Sequence, residues 1–105
     1  MSKSSITTNP DWLHNAHAGE LLVSEFMEPL KLDCAGLARA IAIDGARLQA
    51  VIDGSQRVDG DLDLRLARYV RMSEGFFLRL QDQYELREAK RALNGALDRI
   101  VPRAA

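Results

Sequence analysis

The chain has 105 residues, 47% of them hydrophobic, and a formal net charge of −1 at neutral pH. This length suits one small globular domain with a modest core, and it leaves no room for a second domain. The charge argues against non-specific coating of nucleic acid, which needs a surplus of Lys and Arg. One cysteine excludes an intramolecular disulfide. Neither a secretory signal nor the ~20 apolar residues of a membrane span occurs, so we expect a cytoplasmic protein with no membrane partner.

The N-terminal segment is rich in Ser, Thr and Asn and has little apolar periodicity. We therefore expect residues 1–16 to form a flexible tail, in which Trp12 and Leu13 could dock on the body. A first helix is predicted over residues 18–27, where apolar residues recur four apart. Pro29 is expected to prevent its continuation.

The segment from Cys34 to Asp53 has the apolar spacing of two short helices joined by a tight turn. Gly54 would supply the left-handed residue that ends the second helix. The predicted core positions of this pair are Leu37, Ala38, Ile41, Ile43, Leu48 and Val51. A helix-turn-helix is one interpretation. An ordinary antiparallel helix pair in a small bundle is the alternative.

Two further helices are predicted after this pair. Asp59 or Asp61 could cap the fourth helix, and Ser73 could cap the fifth. The expected inner face of the fourth helix is Leu62, Leu66, Tyr69 and Val70. That of the fifth is Phe76, Phe77, Leu80 and Tyr84. Since no strand-like alternation is present, the sequence predicts an all-α bundle of five helices.

The C-terminal segment shows a heptad-like seam of apolar residues. The seam and its neighbour comprise Leu86, Ala89, Leu93, Ala96, Leu97 and Ile100. Such a seam predicts contact with a partner helix, so we expect a homodimer in which this segment takes part. The alternative is that Asn94-Gly95 ends the helix, because an interior Gly costs ~1 kcal/mol relative to Ala. Leu86 and Leu93 would then only cover the domain's own core.

Catalytic chemistry is poorly supported, so we expect neither an enzyme nor a cofactor. His14 and His17 lie three residues apart, but further metal ligands at helical spacing are missing, which favours a surface histidine pair. The sequence contains no phosphate-binding glycine loop after a strand, no Cys-His pair with an orienting acid and no carboxylate pair on an apolar face. Cys34 is most simply a residue at the start of a helix.

Five short blocks follow one another between His17 and Leu86 in a specific order. They are HAGE at 17–20, EFMEPL at 25–30, LARA at 37–40, LRLA at 64–67 and SEGFFLRLQ at 73–81, followed by Tyr84 and Leu86. These blocks resemble the HigA/VapI-type antitoxins, which belong to the Xre, lambda-repressor-like class of helix-turn-helix proteins. The resemblance needs no gap. One departure is Ala18, which replaces the Pro usual in the first block.

The resemblance implies a five-helix lambda-repressor-like DNA-binding domain over residues 17–105, with its helix-turn-helix core at 34–53 and a C-terminal helical extension. It also implies an antitoxin of a type II toxin–antitoxin module. Such a protein represses its own operon as a dimer on double-stranded operator DNA and neutralises a HigB/RelE-like mRNA-cleaving toxin. A stand-alone Xre-family regulator and a protein-interaction module with a degenerate helix-turn-helix are the alternatives.

In a helix-turn-helix, the N-terminal half of the second helix faces base edges, while flanking residues hold phosphates. Arg47 can pair with guanine or a phosphate, and Gln49 can pair with adenine. The predicted DNA-binding residues are Arg39, Asp44, Gly45, Ala46, Arg47, Gln49, Ala50 and Arg57. Phosphates could also be held by Arg65 and Arg68. The alternative is that four of the arginines form a solvated face paired with Asp61, Asp63 and Glu74; these four are Arg39, Arg57, Arg65 and Arg68.

Departures from the family pattern weaken the predicted readout. Asp44 adds a negative charge where DNA would approach, and the small residues at 45, 46 and 50 forgo base contacts. Cys34 stands where relatives often place a phosphate-binding Gln, and Ala42 replaces the Gly usual at the inter-helix turn. We therefore expect weak operator binding by the isolated protein.

Overall fold

A computed structural model of the protein describes residues 15–104, and every regular element in that range is helical. The first helix, α1, is continuous over residues 18–30. Four further helices and one 3₁₀ turn follow: α2 is Cys34–Ala40, α3 is Gly45–Asp53, α4 is Gly60–Val70, α5 is Phe76–Leu93, and the 3₁₀ turn is Ala96–Arg99. The predicted all-α class with five helices is confirmed.

The entry of the chain into the domain is fixed by Asn15, which is buried. Its side-chain amide donates to the Tyr84 carbonyl at 2.8 Å and to Glu88 at 3.1 Å, so this residue is anchored on α5. Most of the predicted tail, with Trp12, Leu13 and His14, lies outside the described residues.

α1 runs three residues further than predicted. Its middle turn, Val23–Met27, is π-helical, and an α-helical turn, Glu28–Leu30, follows it. Pro29 therefore lies inside the helix and does not end it. The ring is tolerated because bonding has already shifted from the i→i−4 to the i→i−5 pattern, as the bond from Glu28 N–H to the Val23 carbonyl shows. Lys31, with a left-handed φ of 57°, ends the helix.

The core is a single apolar cluster to which all five helices contribute. Its most deeply buried members include Leu22 of α1, Leu37 of α2, Leu48 of α3, Leu66 of α4 and Phe77 of α5. Each is at most 1% exposed, so removing any one of these side chains would leave a cavity.

Several predicted core positions are less buried than expected, and Val70, Phe76, Leu80 and Tyr84 are half-buried. Ile43 is only half-buried, because it follows the inter-helix turn at the edge of the cluster. Tyr69 is 43% exposed and lies outside the core, which corrects its assignment to the inner face of α4. The buried positions of α4 are Leu62, Asp63, Leu66 and Ala67.

Glycine at position 19 allows α1 to cross α3 closely. A Cβ atom at Gly19 would clash with the backbone oxygen of Val51. The two helices therefore approach each other through their backbones, and this contact holds α3 against the body of the domain.

A buried aspartate on α4 caps α5, and the prediction of Ser73 as that cap is wrong. The Asp63 carboxylate accepts hydrogen bonds from the backbone N–H groups of Gly75 at 2.6 Å, Phe77 at 2.8 Å and Leu78 at 3.1 Å. Ser73 instead accepts from the Arg79 guanidinium through its hydroxyl at 3.0 Å. Because Asp63 is 1% exposed, this cap ties two helices together inside the core.

The C-terminal seam is interrupted. α5 ends at Leu93, where Asn94 and Gly95 adopt left-handed φ values of 43° and 89°. Ala96 and Ile100 therefore do not continue the helical face of Leu86, which corrects the expectation of one long seam. Among residues 15–104, no helix is long and apolar enough to cross a membrane.

Candidate nucleic-acid interface

The predicted helix pair is present as α2 and α3, and each helix begins at an aspartate. Asp33 accepts a hydrogen bond from Gly36 N–H at 2.7 Å, and Asp44 accepts one from Ala46 N–H at 3.2 Å. Free backbone N–H groups at a helix N-terminus are natural phosphate ligands. Here carboxylates already occupy part of that position on both helices, so neither end attracts a phosphate strongly.

The turn between α2 and α3 is held by local bonds and by one arginine from α4. Ile43 N–H donates to the Ala38 carbonyl at 3.0 Å, which closes the end of α2. The Arg65 guanidinium donates to the carbonyls of Ile41 at 2.8 Å and Ala42 at 3.1 Å. Arg65 thus caps the turn, and the structure favours this role over the suggested phosphate contact.

Ala42 adopts a left-handed φ of 61° at this turn. For a residue with a Cβ atom, this left-handed conformation costs about 1–2 kcal/mol of conformational energy, and glycine does not have this cost. The helix-turn-helix geometry is therefore kept at a cost in stability, and the core residues on both sides of the turn maintain it.

Arg47 of α3 is engaged by two carboxylates at the start of α4. Its guanidinium lies 2.9 Å from Asp59 and 3.0 Å from Asp61. The hydrogen bond with Asp61 is the main cause that raises the pKa of Arg47. In turn, hydrogen bonds from Arg47 and then Arg65 lower the pKa of Asp61. The proposed guanine reader is thus held in an ion-pair network on the protein itself.

Gln49 also has an intramolecular partner. Its side-chain amide donates to Asp53 at 2.8 Å, one turn further along α3. The exposed face of the helix consists of Ala46, Gln49 and Asp53, while Gly45 and Ala50 are half-buried. This face offers DNA one amide, one carboxylate and little else.

The two outer arginines of the predicted set differ from each other. Arg57, after α3, forms a two-point contact with Glu85 of α5 at 2.9 and 3.2 Å and lies 3.5 Å from Asp82. Hydrogen bonds from Arg57 and then Gln81 lower the pKa of Glu85. Arg39 is exposed on α2 and has no salt bridge within residues 15–104. Of these two predicted phosphate ligands, Arg39 is therefore the more readily available to contact DNA.

Cys34 is the first residue of α2, as predicted, and its thiol lies over the start of α3. The Sγ atom is 3.7 Å from the Gly45 carbonyl oxygen. Burial, followed by the charges of Asp33 and Asp53, raises the pKa of this thiol. A neutral thiol facing a carbonyl offers a phosphate oxygen only a weak donor.

His17 caps α1, and His14, its predicted partner in a surface histidine pair, lies outside the described residues. Its Nδ1 atom accepts from Gly19 N–H at 3.0 Å, and the Glu20 carboxylate accepts from His17 N–H at 3.1 Å. The two residues thus form a reciprocal capping box at the start of α1. Within residues 15–104, no group of three or more potential metal ligands occurs.

The C-terminal segment leaves five large apolar side chains exposed, and we refer to them together as the C-terminal patch. The alternative, in which Leu86 and Leu93 cover the domain's own core, is wrong, because they are 61% and 42% exposed. The patch comprises Leu86, Leu93, Leu97, Ile100 and Val101, each at least 42% exposed. Of the other predicted interface residues, Ala89 is exposed and Ala96 is half-buried.

Asp59, before α4, and Asp61 and Asp63, within it, make contacts that the sequence did not predict, beyond the expected cap of α4 at Asp59 or Asp61. Asp59 and Asp61 lie 12 and 14 residues after Arg47, so no local spacing rule indicates their pairing. Asp63 left a clearer signal, because it occupies a core-facing position four residues before Ala67. A carboxylate at such a position requires buried donors.

Two short helices joined by a tight turn, inside a five-helix bundle, define a lambda-repressor-like helix-turn-helix protein. The structure is similar to the Pseudomonas aeruginosa antitoxin HigA solved with the higBA promoter: the TM-score is 0.77, the identity is 28%, and the match covers 87% of this chain and 100% of that one. It is also similar to a Pseudomonas aeruginosa protein solved in complex with its 18-bp operator DNA, with a TM-score of 0.80, 30% identity and coverage of 86% and 96%.

Sequence comparison agrees with the structural one. Virulence-associated protein I of Dichelobacter nodosus is 28% identical over 86 residues, which cover 82% of this chain and 80% of that protein. No protein-family model matches the chain. The chain belongs to the HigA-type antitoxins of the Xre helix-turn-helix family, which confirms the resemblance. As a member of this family of regulators, it is not an enzyme.

Proposed function

We propose that this protein is a cytoplasmic antitoxin that binds operator DNA through α3, represses its own operon and neutralises a HigB/RelE-like mRNA-cleaving toxin. One observation carries the DNA-binding part. The helix pair is intact, with α3 on the surface, in a fold that superposes over nearly the full length of two proteins solved with promoter or operator DNA.

In this proposal, the domain of residues 17–105 contacts DNA with the residues predicted from the sequence. Arg47 and Gln49 are the base readers, and each must leave its carboxylate partner to reach a base. Arg39 and Arg57 hold phosphates. Residues 44–46 and Ala50 lie next to the DNA in this proposal but make no strong contacts with it.

The proposed assembly is a homodimer formed through the C-terminal patch. An exposed patch of five large apolar side chains is unfavourable in water, and a two-fold contact between copies would cover it. Two α3 helices would then enter successive major grooves, ~34 Å apart, on a palindromic operator.

A cellular assay tests the proposed function. The DNA upstream of this gene is fused to a reporter, and the chain is expressed with or without the short basic protein expected from the adjacent reading frame. We expect repression of the reporter, and relief of the neighbour's toxicity when both proteins are made. Toxicity that persists beside stable antitoxin would refute the neutralising role. Repression without any neighbouring toxin would instead support the stand-alone regulator.

A protein-interaction module is a second candidate, because the polar side chains of α3 are satisfied within the protein. This candidate predicts a complex with the neighbouring protein and no effect on the reporter. The reporter assay therefore separates the two functions directly.

A further inference from the structure

The guanidinium of Arg47 is held by two carboxylates that are themselves fixed. Asp59 is the N-cap of α4, where its carboxylate accepts from Leu62 N–H at 2.9 Å. Asp61 accepts from the Nε atom of Arg65 at 3.1 Å, while Arg65 is anchored on the carbonyls of the inter-helix turn. The partners of Arg47 are therefore positioned by the fold, and they are not freely rotating surface side chains.

The network is electrically balanced. Two arginines, Arg47 and Arg65, face two aspartates, Asp59 and Asp61, so the cluster attracts an approaching phosphate only weakly. When Arg47 leaves the network for DNA, both carboxylates lose a partner and stay next to a polyanion. DNA binding by Arg47 thus carries a cost that a free arginine would not have.

We infer that Asp59 and Asp61 set the DNA affinity of this protein by holding Arg47 in an ion-pair network that the operator must open. This inference rests on the proposed DNA-binding function and adds to it a pair of residues that do not touch base edges. Both aspartates oppose binding, so their removal strengthens it.

The test measures the affinity of the full chain for its upstream promoter DNA and for a scrambled duplex of the same composition. Asp61→Asn keeps a side-chain oxygen for Arg65, and Asp59→Asn keeps a residue that caps helices well. Asp98→Asn removes the same charge from the 3₁₀ turn, far along the chain from the network, and is the matched control. Circular dichroism checks that each variant is folded.

We expect Asp61→Asn and Asp59→Asn each to tighten promoter binding about two- to fivefold, the range expected for opening exposed ion pairs. The gain on the promoter should exceed the gain on scrambled DNA and the gain from Asp98→Asn. Most decisively, it should shrink to the Asp98→Asn level when either change is made in an Arg47→Ala background, because no arginine is then released.

Unchanged or weaker promoter binding by both folded variants would overturn the inference, as would an equal gain with and without Arg47. If the wild-type protein prefers its promoter, such a result leaves the proposed function standing. If neither the wild type nor any variant distinguishes promoter from scrambled DNA, the proposed function and this inference both fail. Promoter binding that appears only in the asparagine variants would support the inference directly.

Discussion

Replacing Asp63 by alanine is expected to be among the most damaging single changes outside the apolar core. The carboxylate is 1% exposed and accepts three backbone hydrogen bonds at the start of α5, from Gly75, Phe77 and Leu78. α5 has no cap from its own preceding side chains, since Gly75 provides none. The substitution therefore removes the helix cap and one of the links between α4 and α5.

The size of the effect follows from the three bonds. The bond to Phe77 N–H is buried, and a buried donor left without a partner costs about 1–3 kcal/mol. The N–H groups of Gly75 and Leu78 are partly buried and can regain water, so each loses about 1 kcal/mol. The expected loss for Asp63→Ala is about 3–5 kcal/mol of unfolding free energy, which is a large share of the total for a domain of this size.

Urea denaturation followed by circular dichroism measures this loss. Asp63→Asn retains one acceptor oxygen and should lose less than Asp63→Ala, and Asp98→Ala, on the exposed 3₁₀ turn, should stay within about 0.5 kcal/mol of the wild type. A loss below about 1 kcal/mol for Asp63→Ala would refute the assignment of this carboxylate as the cap of α5.

Three further predictions concern the turn, the ion-pair network and the C-terminal patch. Ala42→Gly should stabilise the protein by about 0.5–1 kcal/mol in the same denaturation assay, because relief of the left-handed strain exceeds the added freedom of the unfolded chain; a loss of stability would contradict the turn geometry. The Asp61 carboxyl should titrate below its ordinary pKa by NMR, and Arg47→Ala should raise that pKa. Because the folded-state pKa is lowered, the stabilisation from Asp61 is present above the unfolded-state pKa and is lost as pH falls through the folded-state value; an unchanged titration in Arg47→Ala would remove this ion pair from the account. Replacing both Leu93 and Leu97 by Glu should convert a dimer to a monomer in analytical ultracentrifugation; a dimer that persists would exclude the C-terminal patch from the interface.

The helix pair and most of the core were predictable because they depend on local periodicity. Leu37 and Leu48 recur at helical spacing with their neighbours, and they are fully buried. Gly54 ends α3 with a left-handed φ of 85°, as its position predicted. The predicted end of α1 at residue 27 was wrong, because a π-helical turn has no distinct sequence period and a proline such as Pro29 normally ends a helix.

The candidate site was less predictable because its side chains depend on contacts between distant segments. Which aspartates neutralise Arg47 is decided by where the start of α4 lies relative to α3, and the spacing of Asp59 and Asp61 along the chain does not show it. The same holds for Arg65, whose place at the inter-helix turn became clear only in three dimensions. That the small residues of α3 offer few base contacts was predictable directly from the sequence. The structure adds that the Gln49 side chain is hydrogen-bonded to Asp53.

Affinity of the isolated protein for its own promoter, measured at ~150 mM salt against a scrambled duplex, tests the central claim most directly. Screening at that ionic strength suppresses non-specific attraction. We predict a preference for the promoter with a Kd weaker than about 10 nM, the weak end of specific protein–DNA complexes, because α3 offers few base contacts and Arg47 must first leave Asp59 and Asp61. Nanomolar binding by the isolated protein would contradict this weak readout. Absence of any promoter preference, with or without a toxin partner, would contradict the DNA-binding function itself.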